Sequence, residues 1–166
     1  VHARSAGLNG LSPKENRNVP PLRYEDVYRL KRERPGLEVE INGGIKSLDE
    51  AEEHLSHVDG VMIGRAAYDT PYILGEADHR FFGETPDVPS RREVVESMYD
   101  YIDLVQAAGY NPRAVIRHML GLFAYQPGAR RWKQELSGPL PEDLPGHEIL
   151  RAALEGLPDH VLDGVA

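Results

Sequence analysis

The chain has 166 residues, a net charge of −8 and no cysteine. Its length allows one domain and a small appended one, and the missing thiols exclude disulfides and thiolate metal sites within these residues. No apolar run reaches membrane-spanning length, and no charged-then-apolar leader resembles a signal peptide. The acid is unevenly spread: Val1 to Arg34 carries eight Lys/Arg against four Asp/Glu, Asn111 to Gln134 carries five against none, and Pro35 to Tyr110 carries five against sixteen. Two separate segments therefore keep the electrostatic character of an RNA-binding face despite the overall charge.

The chain opens on Val1-His2-Ala3-Arg4, without an initiator Met and with an element under way, so we expect it to be the C-terminal part of a longer protein. A short strand at His2 to Arg4 leads into a Gly-, Asn- and Pro-rich loop reaching Leu22, long enough to expect a function of its own. Tyr24 to Arg34 reads as a charged surface helix ended by Pro35-Gly36. Leu37, Val39 and Ile41 alternate with Glu38 and Glu40 as in a strand. Ser47-Leu48-Asp49-Glu50 is a capping box opening a helix through about Leu55, and Gly60 to Ile63 is a short buried strand. Strand, helix and strand in that order predict a βαβ unit and a parallel sheet.

Beyond Tyr72 the pattern is all-helical. Pro86, Pro89 and their polar neighbours form a linker. Ser90-Arg91-Arg92-Glu93 is a second capping box, opening a helix with the stripe Val94, Met98, Tyr101, Ile102 and Val105 and an end near Gly109. Asn111-Pro112 starts another helix with Val115, Met119, Leu122 and Phe123 inward. Shorter helices are expected around Ala129 to Leu136 and Glu148 to Glu155.

The chemistry is concentrated at two strand ends. Ile41 runs into Asn42-Gly43-Gly44, and Ile63 runs into Gly64-Arg65. Glycines there let backbone N–H groups approach an anion, and an arginine can pair with phosphate oxygens through two parallel hydrogen bonds. Two consecutive β/α units doing this match the phosphate site that (β/α)8 barrels build after strands 7 and 8, which points to a phosphorylated cofactor. Read alone, Asn42-Gly43-Gly44 is equally an ordinary tight turn, Gly64-Arg65 a helix entry with a solvated arginine, and His2 a structural histidine. His54 and His57 lack converging ligands and form no metal motif. The acidic run Asp49 to Glu53 reads as a solvated helix face, and Trp132 and Phe123 as packing.

Several runs together resemble the tRNA-dihydrouridine synthases of the A subfamily. They are His2-Ala3-Arg4-Ser5-Ala6, Gly10-Leu11-Ser12-Pro13-Lys14-Glu15-Asn16-Arg17, Pro20-Pro21-Leu22-Arg23-Tyr24, Ile41-Asn42-Gly43-Gly44-Ile45, Asp59 to Tyr68, Arg117 to Phe123 and Pro127 to Trp132. The likeness runs from Val1 to about Ser137, and the tail beyond Gly138 is unplaced.

The resemblance implies an α/β fold, the C-terminal part of a (β/α)8 TIM barrel followed by a small all-α helical bundle domain. Residues 1–82 would belong to the barrel, 83–90 to a linker and 91–166 to a tRNA-binding domain. It further implies an FMN-dependent oxidoreductase that reduces the C5=C6 bond of uridines at positions 20 and 20a of the tRNA D-loop, with NADPH as reductant. In that resemblance His2, Asn42, Gly43, Gly44, Gly64 and Arg65 contact FMN. Asn9, Ser12, Lys14 and Arg17 contact tRNA from the loop, and Arg130 and Lys133 from the helical domain. Asn9 departs from the pattern, since some members carry a basic residue there. The family's proton donor is a cysteine on an earlier barrel loop, so no catalytic residue is expected in this chain, and by itself it should be inactive. A cytoplasmic monomer without membrane contact is the accompanying expectation. Two alternatives stay open: another flavin-dependent barrel of the dihydroorotate-dehydrogenase kind, and a non-catalytic tRNA-binding module.

Overall fold

A computed structural model of the chain describes residues 1–5, 10–16, 18–83, 87–141 and 143–164. It is α/β with mostly helices, and its contacts divide it into two units, Val1–Ala67 and Tyr68–Ala166.

The first unit holds α1 (Pro13–Asn16), α2 (Tyr24–Glu33), β1 (Glu40–Asn42), α3 (Leu48–Leu55), β2 (Gly60–Met62) and the start of α4 (Arg65–Asp69). In α2, Glu25 and Asp26 occupy the first turn and Lys31 and Arg32 the last, the order that complements the helix dipole, while Val27 and Tyr28 are buried. β1 and β2 are parallel, with Ile41 opposite Val61 and Asn42 opposite Met62, and α3 joins them as the expected βαβ unit. Asn42 also bridges in parallel to His2, through Ala3 N–H to Asn42 C=O at 2.8 Å and Asn42 N–H to Val1 C=O at 3.0 Å.

The strand pattern expected from Leu37 shortens to three residues because of side chains from other parts of the unit. Asp59 accepts from the Val39 N–H at 2.8 Å and from Lys31 Nζ at 2.8 Å, and Lys31 Nζ donates to the Leu37 carbonyl at 2.7 Å. Side chains thus take the backbone groups that a longer ladder would use. The capping box at Ser47 is also only half formed. Ser47 accepts from Glu50 N–H at 3.2 Å, but the Glu50 carboxylate turns to Lys46 N–H at 2.7 Å.

Following a 3-10 turn (Pro71–Leu74), the second unit contains α5 (Ala77–Phe82), α6 (Arg91–Glu96), α7 (Tyr99–Ala107), α8 (Arg113–Ile116), α9 (Ala129–Ser137), α10 (Gly146–Leu154) and α11 (Asp159–Leu162). Its core centres on Trp132, Phe123, Ile102, Leu150 and Val95, all fully buried. Trp132 donates its indole N–H to the Met119 carbonyl at 3.1 Å, satisfying the one polar group on the ring. Tyr72 belongs to this core, with its hydroxyl on the Pro89 carbonyl at 2.9 Å and the Arg91 guanidinium 3.7 Å from its ring centroid. The residues from Tyr68 onward share their contacts with the helical unit.

Three helices differ from their sequence patterns. The helix expected from Ser90 to Gly109 is two, because Ser97 Oγ donates back to Val94 C=O at 2.8 Å and Met98 N–H turns to Val95 C=O. α8 stops at Ile116 and continues as tight turns, although Val115, Met119, Leu122 and Phe123 are buried as the spacing requires. α10 begins at Gly146 rather than Glu148. There Gln106 Oε1 accepts from Gly146 N–H at 2.7 Å and Asp103 Oδ1 from His147 N–H at 2.9 Å, so side chains of α7 cap a helix about forty residues away. Ser90 and Glu93 form the complete capping box. Among the described residues no helix is long and apolar enough to cross a membrane.

Candidate functional site

Parallel pairing puts the C-terminal ends of β1 and β2 on the same edge of the sheet. Gly43-Gly44 and Gly64-Arg65 each begin just past the paired Asn42 and Met62, and the bridge at Asn42 brings His2 to the same edge. His2, Asn42, Gly43, Gly44, Gly64 and Arg65 are thus gathered by backbone pairing within one unit. His2 Nδ1 accepts from Arg4 N–H at 3.0 Å, which fixes the ring beside Gly43.

These glycines are required for different reasons. Gly43 and Gly44 have φ of +115° and +80°, and a Cβ on Gly44 would lie 2.6 Å from Leu22 Cδ1. Both answer to the backbone and to packing. Gly64 does not: its φ is ordinary, and a Cβ there would meet only Met62 Cε at 3.9 Å. Among the described residues nothing requires a glycine at this position.

Two polar groups at the edge bear on what it can hold. Asn42 Nδ2 donates to Met62 Sδ at 3.3 Å, while Asn42 Oδ1 is buried and has no hydrogen-bond partner among the described residues. An unsatisfied buried acceptor costs about 1–3 kcal/mol, which a ligand donor would recover. Arg65 opens α4 and donates from Nη1 to Asn18 Oδ1 at 2.7 Å. Tyr24 steadies the glycine turn by donating its hydroxyl to the Gly43 carbonyl at 2.7 Å.

The loop before α2 is organised by local caps. Ser12 accepts from Glu15 N–H at 3.3 Å, and its own hydroxyl and N–H donate to the Glu15 carboxylate at 2.6 and 2.8 Å. Those bonds hold the Glu15 carboxyl below the usual range. The Ser12 side chain is therefore engaged as a helix cap, whereas Lys14 is exposed on α1. Arg4 donates from Nη1 to the Asn18 and Pro20 carbonyls, closing the loop's far end. Asn9 and Arg17 lie outside the described residues.

Arg130 and Lys133 form a separate site in the helical unit. Spaced three apart on α9, they line one hollow of about 820 Å³ with Tyr125, Gln134 and Asp69. Arg131 turns elsewhere, to Glu135 at 3.9 Å. Trp132 and Phe123 are core residues with ring centroids 4.8 Å apart and offer no surface for a base.

His54 is a buried structural histidine. The Tyr28 hydroxyl and His54 Nδ1 share a hydrogen bond of 2.5 Å, and burial lowers the imidazole below its ordinary value. Sequence reasoning missed Asn18, Tyr24 and Leu22, which hold Arg65, the Gly43 carbonyl and the glycine turn. No periodicity or motif marks them, because each acts across at least nineteen residues on a neighbouring loop.

A family model described as dihydrouridine synthase (Dus) matches residues 1–145. The chain is 48% identical over 161 residues to the tRNA-dihydrouridine(20/20a) synthase of Vibrio vulnificus, covering 97% of this chain and 49% of that protein. Its similarity to the protein of the same name from Synechocystis sp. is 48% over 155 residues, covering 93% and 46%. For the one from Shigella flexneri it is 53% over 137 residues, covering 82% and 40%. The chain thus spans about half the length of the curated relatives it matches. With the family model extending over most of its length, this chain belongs to the dihydrouridine synthase family of enzymes.

Proposed function

We propose that this chain is the C-terminal half of a tRNA-dihydrouridine synthase and supplies the phosphate side of its FMN site. Residues 1–82 are the last part of a (β/α)8 barrel, 83–90 a linker and 91–166 a helical tRNA-binding domain. The observation that carries the reading is Gly64. It is a glycine with no internal need to be one, set beside Arg65 at a sheet edge that also holds the unpartnered oxygen of Asn42. A phosphate approaches closely only where no Cβ intervenes, and a guanidinium is the side chain best suited to bind it.

FMN, when bound, supplies the hydride that reduces the uracil C5=C6 bond and is itself reduced by NADPH. This chain's residues hold and orient it. Gly64 leaves room at the strand end, and Arg65 carries the charge that meets the phosphate. Asn42 Oδ1 would take a hydrogen-bond donor of the cofactor beside the phosphate turn, and His2, held by Arg4 N–H, would contact the cofactor from the same sheet edge. Lys14, Arg17, Arg130 and Lys133 meet tRNA phosphates, and Ser12 and Asn9 lie on the same RNA-facing loop. The cysteine that donates the proton in the family has no counterpart among these residues. A cytoplasmic, monomeric protein acting on tRNA completes the reading.

Joining this chain to the N-terminal half of the Vibrio vulnificus relative tests it. The chimera should form dihydrouridine at positions 20 and 20a of unmodified tRNA with NADPH, mapped by mass spectrometry of RNase fragments. A folded chimera that retains flavin but leaves uridine unreduced would contradict the substrate. The isolated chain should bind FMN weakly and turn over no uridine, because a barrel needs closure to bury its sheet edges.

A further inference from the structure

Tyr125 has a φ of +64°, and every other described residue with positive φ is a glycine. It stands third in a turn closed by Gln126 N–H on the Phe123 carbonyl at 3.1 Å, a position where the left-handed backbone selects glycine or asparagine over an aromatic. The turn is anchored, because Phe123 is fully buried against Trp132. Burial does not compensate the tyrosine either: its side chain is 93% exposed. A large ring is thus held in solvent, on a strained backbone, by a rigid core. Strain of that kind collects at binding sites.

What the ring faces identifies the ligand. Tyr125 lines the hollow that Arg130 and Lys133 also line, with Asp69 as the acid in its wall, and the segment Asn111 to Gln134 that carries all three is free of Asp and Glu. Cations that hold phosphates beside an exposed aromatic face are the pairing by which single-stranded nucleic acid is bound. A fully paired duplex presents no free base face. We propose that Tyr125 is a stacking platform for one unpaired base of an RNA whose phosphates Arg130 and Lys133 hold, an inference that rests on the tRNA reading above and adds a base contact to it.

The test is fluorescence anisotropy of a labelled unmodified tRNA transcript titrated with the 166-residue chain over a salt series. Tyr125→Ala should weaken binding by about 5- to 100-fold, with the slope of log Kd against log salt unchanged. Tyr125→Phe keeps the ring and should bind within about two-fold of wild type. Tyr125→Gly suits the turn but lacks the ring, so it should bind as weakly as Tyr125→Ala, which separates a lost platform from a damaged fold. Lys133→Ala should weaken binding and lower the salt slope by about 1. A paired RNA duplex should bind independently of residue 125. Wild-type affinity in Tyr125→Ala and Tyr125→Gly, alongside a loss in Lys133→Ala, overturns the platform and leaves the tRNA reading standing. Dependence of duplex binding on Tyr125 overturns the unpaired base, and failure of the wild-type chain to bind tRNA overturns the platform, the tRNA reading itself being decided by the chimera.

Discussion

Arg65 donates from Nη1 to Asn18 Oδ1 at 2.7 Å, tying the turn after β2 to the loop that carries Lys14. This bond links a residue proposed to hold FMN to a segment proposed to meet tRNA, within one unit. Removing the amide with Asn18→Ala should loosen the loop, detected as faster proteolysis between Gly10 and Pro20, and leave unfolding by urea within about 0.5 kcal/mol of wild type. An unchanged cleavage pattern would contradict the tie.

The two glycine turns should respond oppositely to the same substitution. Gly44→Ala forces a Cβ against Leu22 at a φ of +80° and should cost about 1–3 kcal/mol in urea unfolding. Gly64→Ala meets only Met62 Cε at 3.9 Å and should cost about 0.5 kcal/mol or less. Equal losses would show that Gly64 has an internal role.

Stability should fall on the acid side of neutrality through His54. Burial holds its imidazole below the ordinary value of 6.5, so the folded state binds fewer protons than the unfolded state as pH drops through that value. Its contribution is complete above the unfolded pKa and is lost as pH falls from there toward the folded pKa. Urea midpoints measured across this range should slope downward toward acid, and His54→Phe should flatten the slope. An identical slope in the variant would assign the effect to other groups.

Much of the helical unit was legible in sequence because its signals are local. The Ser90–Glu93 capping box formed as spaced, and the Val115, Met119, Leu122, Phe123 stripe is buried. The βαβ unit and the two glycine-ended strands were also readable. What escaped depends on distant partners. Asp59 and Lys31 shorten β1, Gln106 and Asp103 start α10, and Tyr72 ties its segment to the helical core. Within the candidate site, Asn42, the glycines and Arg65 were visible as a motif, whereas Asn18 and Tyr24 were not, since neither residue type nor spacing marks them. α11 and its tie to Arg92 through Asp163 at 2.6 Å lie in the tail left unplaced by resemblance.

The tie from α7 to the start of α10 should be measurable. Asp103→Ala removes both the acceptor of the His147 N–H and the partner of His147 Nδ1, and should cost about 1–2 kcal/mol. Asp100→Ala, exposed on the same helix, should change stability by about 0.5 kcal/mol or less. Equal shifts in urea midpoint would remove the special role of Asp103.

Relief of the turn at Tyr125 should appear as stability. Tyr125→Gly should gain about 1 kcal/mol, net of the larger unfolded-state entropy of glycine, while Tyr125→Ala keeps the unfavourable φ and should gain nothing. Equal midpoints for the two variants would place no strain at this residue.

We propose that Gly64 and Arg65 receive the phosphate of FMN. The most direct measurement is the affinity of the Vibrio vulnificus chimera for FMN and for riboflavin, with and without Arg65→Ala, followed by flavin fluorescence. We predict that Arg65→Ala weakens FMN by about 10- to 100-fold and leaves riboflavin unchanged, because a charge-assisted pair of about 1.5–3 kcal/mol is lost only when the phosphate is present. Equal loss for both flavins, or no loss for FMN, would show that Arg65 does not bind the phosphate.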